Sequence, residues 1–233
     1  MKQKVMNHIK NNWQEYASFI SMIVLIVLGL IYAFNLNNFD FNYPLAYYGG
    51  DDMGGLQDAK LFAEQGWMLS TDRMGAPYSS DIYDFSSSLL HNFGLMIMKL
   101  CVLITGNYIV GFNIYYLSIF VLAGIVSYIV MRQLKINNWV TAAMSAVYGL
   151  SPYMIARGVG HMVLVEVYFI PLSFLLCFWV MEREDVFQFN KNFFKTPANY
   201  AVLIMAALIA NNGIAYSILY LFYTSCNRCI KVT

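Results

Sequence analysis

Charge is what this sequence has least of. Asp, Glu, Lys and Arg make up 12% of its 233 residues, whereas a soluble domain usually carries about a quarter. Hydrophobic residues reach 59% and aromatics 17%. That balance excludes a disordered chain and argues against a soluble enzyme. Net charge is equally scant at +1, so no basic field exists to meet a phosphate backbone, and nucleic acid is excluded as partner. Cysteine is sparse as well, with four in all. Cys101 and Cys177 lie in apolar runs and read as small hydrophobes. Cys226 and Cys229 form a lone CxxC, lacking the second pair or histidines of a zinc site and the βαβ setting of a thioredoxin-like motif. Incidental cysteines are the simpler reading. There is no internal repeat and no low-complexity tract. What remains is an all-α polytopic membrane protein, with residues 1–233 forming a single transmembrane domain.

The first long apolar run, 17–36, follows Lys2, Lys4 and Lys10 and contains no charge. It has about the ~20 residues that cross a bilayer and lacks a small-residue cleavage site, so it reads as a signal anchor with a cytoplasmic N-terminus. Residues 37–92 hold eight of the thirteen acids against only Lys60 and Arg73. This loop therefore carries −6 and the remainder +7, which places the loop on the extracytoplasmic face of a cell membrane. Within it, Leu56, Ala59, Ala63 and Trp67 recur at near-helical spacing and predict a short helix by the membrane surface. The stretch 89–105, interrupted by His91, Asn92 and Lys99, reads as a surface or re-entrant helix, which keeps Arg132 and Lys135 inside. Spans follow over 108–131, 140–156 and 162–181, with 157–161 as the outer turn between the last two. Pro171 is expected to kink the span that contains it. The apolar region 198–226, broken at Asn211-Asn212-Gly213, is either one broken span or two half-spans. Ending just beyond it, the chain is expected to be a truncated or split product, with a complete small protein as the alternative.

Chemistry concentrates in few places. Gly49-Gly50-Asp51-Asp52-Met53-Gly54-Gly55 sets two carboxylates between paired glycines, which let another molecule approach the backbone closely. Asp51 or Asp52 can then serve as a general base toward a hydroxyl, the other orienting it or holding a divalent cation. A solvated Gly-Asp turn is the plainer alternative. Arg73 is a candidate phosphate fork, or a structural partner of Asp72 or Asp81. Arg157 and His161, at the mouth of the last two spans, suit a lipid phosphate or pyrophosphate; an interfacial arginine and a turn-capping histidine would look the same. Glu166 lies one turn inside a span, where an acid is costly and faces a cavity or a partner. Lys99, Arg157 and His161 are its natural partners. Tyr108, Phe112, Tyr115, Tyr116 and Phe120 at helical spacing read as packing, as do Tyr216, Tyr220 and Tyr223.

Four features together resemble the GT-C superfamily of polytopic glycosyltransferases, most closely the bacterial YfhO-type membrane proteins. They are a span followed by an outer loop with Gly50-Asp51-Asp52, the helix Gln57-Asp58-Ala59-Lys60-Leu61-Phe62, the Met74-Gly75-Ala76-Pro77 segment, and Gly160-His161 before a span with Pro171. The likeness covers the amino-terminal part of such proteins, so this chain alone is expected to be inactive. It implies transfer of a sugar from a polyprenyl-phosphate donor to an envelope glycan or lipid acceptor at the outer bilayer face. Asp51 or Asp52 would be the base, with Arg157, His161 and Arg73 at the carrier phosphate. No cofactor is required by the resemblance, and a divalent cation is compatible with it. A lipid-linked sugar flippase or a non-catalytic assembly factor is the alternative.

Overall fold

The computed structural model describes residues 12–45, 52–65, 70–73, 77–81, 92–182 and 197–210. Most of these are helical: α1 (Trp13–Ala33), α2 (Asp52–Gln65), α3 (Asn92–Thr105), α4 (Tyr108–Gln133), α5 (Asn138–Gly149), α6 (Pro152–Arg157), α7 (Met162–Val165), α8 (Ile170–Glu182) and α9 (Pro197–Ala210). A two-residue ladder pairs β1 (Ser70–Thr71) antiparallel with β2 (Ser80–Asp81), Ser70 opposite Asp81. The hydrophobic pattern gave no sign of it, because each strand is too short to show alternation. Among the described residues, three stretches are long and apolar enough to cross a membrane: Trp13–Ala33, Tyr108–Gln133 and the run Val159–Trp179.

The α1 helix shows why such a stretch suits lipid. Its 21 residues rise about 31 Å, matching a hydrocarbon core of about 30 Å. Its buried residues are Ser18, Met22, Ile26 and Leu30, a single stripe at every fourth position. Ile20, Val24, Leu25 and Leu28 point away from the protein. The α4 helix is its opposite. It packs against α1, α2, α3, α5, α8 and the turn 167–169, with Phe112, Tyr115, Tyr116, Ile119, Phe120 and Ala123 fully buried. Small residues let the backbones meet, as they do in membrane helix bundles. A Cβ on Gly124 would strike Ile26 and come within 3.0 Å of the Met22 sulfur, and one on Gly149 would stand 2.9 Å from the Phe120 carbonyl. The α1 and α4 helices run antiparallel: Ser18 Oγ lies 2.7 Å from the Tyr128 hydroxyl at one end, and Phe34 sets its ring edge-on to Tyr116 and Phe120 near the other.

The α3 helix folds back on α4 as a hairpin. Gly106 makes the turn at φ +64°, and Asn107 caps α4 by accepting from the amides of Ile109 and Val110 at 2.9 and 3.3 Å. Fourteen residues give a length of about 21 Å, short of a full crossing.

Several expected boundaries move. The first helix begins at Trp13 and ends at Ala33, because Asn35 adopts the left-handed conformation at φ 49°. The span expected over 140–156 is two helices, α5 and α6. Ser151 precedes Pro152, whose ring excludes the helical conformation from its neighbour, and Ser151 is extended at φ −51°, ψ 129°. Pro171 does not kink the last span either. It lies in the first turn of α8, where its missing N–H costs no helical bond. The break falls five residues earlier, at Glu166 (φ −73°, ψ 58°). In α2, Ala59, Leu61 and Phe62 are buried while Ala63 is exposed, so the apolar face is rotated from the expected one. Trp67 lies outside the described residues, as do 211–226 with the expected Asn-Asn-Gly break.

Candidate functional site at the loop end of the bundle

The end of the bundle that carries α2 gathers most of the polar groups singled out above. Asp52 is the first residue of α2; Asp51 lies outside the described residues. From there α2 lies across α4, α3 and the turn Val159–His161. One turn beyond Asp52, Gly55 makes the closest approach. A Cβ there would collide with the Met162 methyl and stand 3.0 Å from the Phe112 ring. The helix start bearing Asp52 is thus seated beside the turn that bears His161, although the two are over a hundred residues apart in sequence.

Arg157 is the last residue of α6 and His161 closes the turn that follows. Gly158 between them sits at φ 60°, ψ −165°, a conformation only glycine takes readily. Both side chains are exposed, and the Arg157 guanidinium lies 5.4 Å above the Tyr153 ring, a cation–π contact that holds it in place. Exposed guanidinium and imidazole groups on one short connection can meet an anionic oxygen.

Arg73 is not in that group. It pairs with Glu64 near the end of α2, and not with Asp72 or Asp81 as expected; its side chain is 60% exposed. Its amide donates to Thr71 Oγ1 at 3.3 Å, so it belongs to the small β1–β2 ladder. Lys99 is half-buried midway along α3.

Glu166 is 1% exposed and accepts a hydrogen bond from the Tyr115 hydroxyl, a partner the sequence reading did not name. Gly94 of α3 closes over the pair, since a Cβ there would overlap both Glu166 and Tyr115. Two carbonyls just beyond the break accept side-chain hydrogen bonds, of the kind non-helical backbone needs in apolar surroundings. The Tyr148 hydroxyl donates to the Val167 carbonyl at 2.8 Å, and Ser173 Oγ to the Phe169 carbonyl at 3.3 Å. Tyr115 therefore does more than pack, while Phe112, Tyr116 and Phe120 do fill the core.

Asn113 was missed altogether. It is fully buried in α4 and bonds the loop backbone at Phe41, Tyr43 and Leu45. The signal was present in the sequence as a lone amide in an apolar span, which ordinarily needs a specific partner. Among the described residues, no three His, Cys, Asp or Glu side chains converge on a metal position.

No curated protein and no solved structure matches the chain. The model of a family described as Domain of unknown function (DUF6311) matches residues 59–227. That stretch takes in Arg73, Lys99, Arg157, His161 and Glu166 and begins seven residues after Asp52; it is most of the chain, which therefore belongs to the DUF6311 family.

Proposed function

We propose that the chain is the membrane core, or part of it, of a GT-C-like polytopic glycosyltransferase, using a polyprenyl-phosphate sugar to modify an envelope glycan or lipid. The observation that carries this reading is the seating of α2 on the 159–161 turn. Gly55, one turn after Asp52, lies against Met162, directly after His161. An acidic group and an anion-binding pair then share one end of the bundle. In the reaction, the Asp52 or Asp51 carboxylate takes the proton of an acceptor hydroxyl. The freed oxygen bonds to the anomeric carbon as the carbon–phosphate oxygen bond breaks, and the departing phosphate charge is met by Arg157 and His161. The −6 loop against a +7 remainder supports an extracytoplasmic loop end and a cytoplasmic N-terminus.

The test is made in whole cells on the protein as the cell makes it. Single cysteines at Ser79 and Asn137, in a background with native cysteines replaced, are offered an impermeant maleimide; Ser79 should react and Asn137 should not. In the same cells, Asp52→Asn and Asp51→Asn are compared for sugar transfer. An amide keeps the carboxylate's size but cannot accept the proton, so at least one variant should lose about 100- to 10,000-fold. Normal transfer in both sinks the reading. A lipid-linked sugar flippase then moves ahead, since Glu166 breaks a stretch long enough to cross a membrane, as transporter helices are broken.

A further inference from the structure

Adjacent residues of α4 hold the chain on both sides of Asp52. On the far side, Phe112 packs against Gly55, three residues beyond it. On the near side, the Asn113 side chain makes three hydrogen bonds to non-helical backbone. Nδ2 donates to the carbonyls of Phe41 and Tyr43 at 3.0 and 2.8 Å. Oδ1 accepts from the Leu45 amide at 2.8 Å. Both donors and one acceptor position of the amide are thus occupied, all by a segment some seventy residues away in sequence. Asp40 tightens the same segment, its carboxylate accepting from the Asn42 amide at 2.9 Å.

A fully buried amide in an apolar helix is costly unless bonded; a leucine of similar size would bring no polar group of its own, but would leave the Leu45 amide and the Phe41 and Tyr43 carbonyls without these bonds. The bonds do not stabilise α4 itself, whose ladder is complete without them. Their effect falls on residues 41–45. We propose that Asn113 is a positioning residue for Asp52: by fixing 41–45 while Phe112 fixes Gly55, it sets where the acidic helix start stands relative to His161 and Arg157. This rests on the transferase reading above.

The experiment measures hydrogen exchange and transfer kinetics on the whole protein, with and without Asn113→Leu. Exchange over residues 40–45 should quicken about fivefold or more as the three Asn113 bonds are lost, with α3 and α4 as protected as before. Turnover should fall by about 100-fold, the effect of a small misplacement of a reacting group. The donor KM should stay unchanged, because the phosphate contacts are elsewhere. Asn113→Asp, neutral in this apolar site, keeps the acceptor for Leu45 and at most one donor for the two carbonyls, and should fall between. If Asn113→Leu loosens α3 and α4 as well, Asn113→Asp carries the comparison. Unchanged exchange at 40–45, or faster exchange with normal turnover, overturns the positioning role while leaving the Asp52→Asn result standing. Absence of transfer in the unsubstituted protein removes the transferase reading and this role with it.

Discussion

The two ends of α4 bury polar groups in different ways. At the end near the α4–α5 turn, two contacts join hydroxyls across regular helices and a third serves the turn itself. Ser18 meets the Tyr128 hydroxyl at 2.7 Å, Ser145 meets Ser127 at 3.4 Å, and Arg132 reaches the Ile136 carbonyl at 2.6 Å. Hydroxyls between regular helices fix which turn faces which. At the loop end, the polar side chains serve irregular chain instead: Asn113 holds 41–45, and Tyr115 and Tyr148 hold the break at Glu166. In apolar surroundings, non-helical backbone persists only where protein groups satisfy it. Among the described residues, the irregular segments at the loop end are the ones that carry candidate site residues.

The largest expected effect on stability comes from helix approach at the loop end. A Cβ on Gly111 would stand 2.7 Å from the Val102 Cα and 2.8 Å from its amide nitrogen. Backbone cannot step aside, so Gly111→Ala should open the α3–α4 hairpin and cost about 1–3 kcal/mol or more. Gly55→Ala meets the end of a methionine and a ring edge instead. The methionine can swing away, and alanine gains up to about 1 kcal/mol of helix propensity over glycine. Thermal unfolding in detergent should separate the two variants clearly. Equal melting temperatures would show that the hairpin does not constrain the bundle.

Next in size is a direct contrast between the ends. Tyr115→Phe removes the hydroxyl bonded to Glu166, and a hydrogen bond to a buried carboxyl is worth about 1–3 kcal/mol. Tyr128→Phe removes neutral contacts to Ser18 Oγ at 2.7 Å and to the Glu15 carbonyl at 3.2 Å; Ser18 still bonds that carbonyl at 2.9 Å, so about 0.5–1.5 kcal/mol is expected. Denaturant or thermal titration of both variants decides the order. A larger loss for Tyr128→Phe would reverse the contrast drawn between the two ends.

Much of this architecture was legible in the sequence, and what was not has physical reasons. Long apolar runs found α1, α4 and the run 159–179, because hydropathy reports directly on what apolar surroundings tolerate. The helix in the acidic loop was readable from its spacing, yet its buried face was misplaced, since Leu61 packs inward through tertiary contact with the bundle. Ser151-Pro152 was a local stop signal that a purely hydropathic reading passed over. Pro171 drew attention as a breaker, although a proline in a first turn breaks nothing. The true break at Glu166 carries no local breaker residue; it is held by Tyr115, Tyr148 and Gly94, all distant in sequence. The candidate residues on one connection, Arg157 and His161, could be grouped from sequence alone. The tie between α2 and that connection, and the Asn113 clamp, arise only on folding.

The smallest expected effect falls on Arg73, which looked like a phosphate ligand from its sequence context. Its guanidinium pairs with Glu64, with the two side chains 60% and 34% exposed. An exposed ion pair loses most of its Coulomb energy to solvent and salt, leaving about 0–1 kcal/mol. Arg73→Ala should therefore lower the melting temperature barely at all, and less still in high salt. Nor should it raise the carrier lipid needed for half-maximal transfer, because the group already meets a carboxylate on α2 instead of facing the 159–161 turn. Arg157→Ala should raise that requirement under the same conditions, through loss of a guanidinium that can fork onto phosphate. A carrier requirement raised as much by Arg73→Ala as by Arg157→Ala would place Arg73 at the phosphate. It would also move the anion site from the α6–α7 connection toward the β1–β2 ladder.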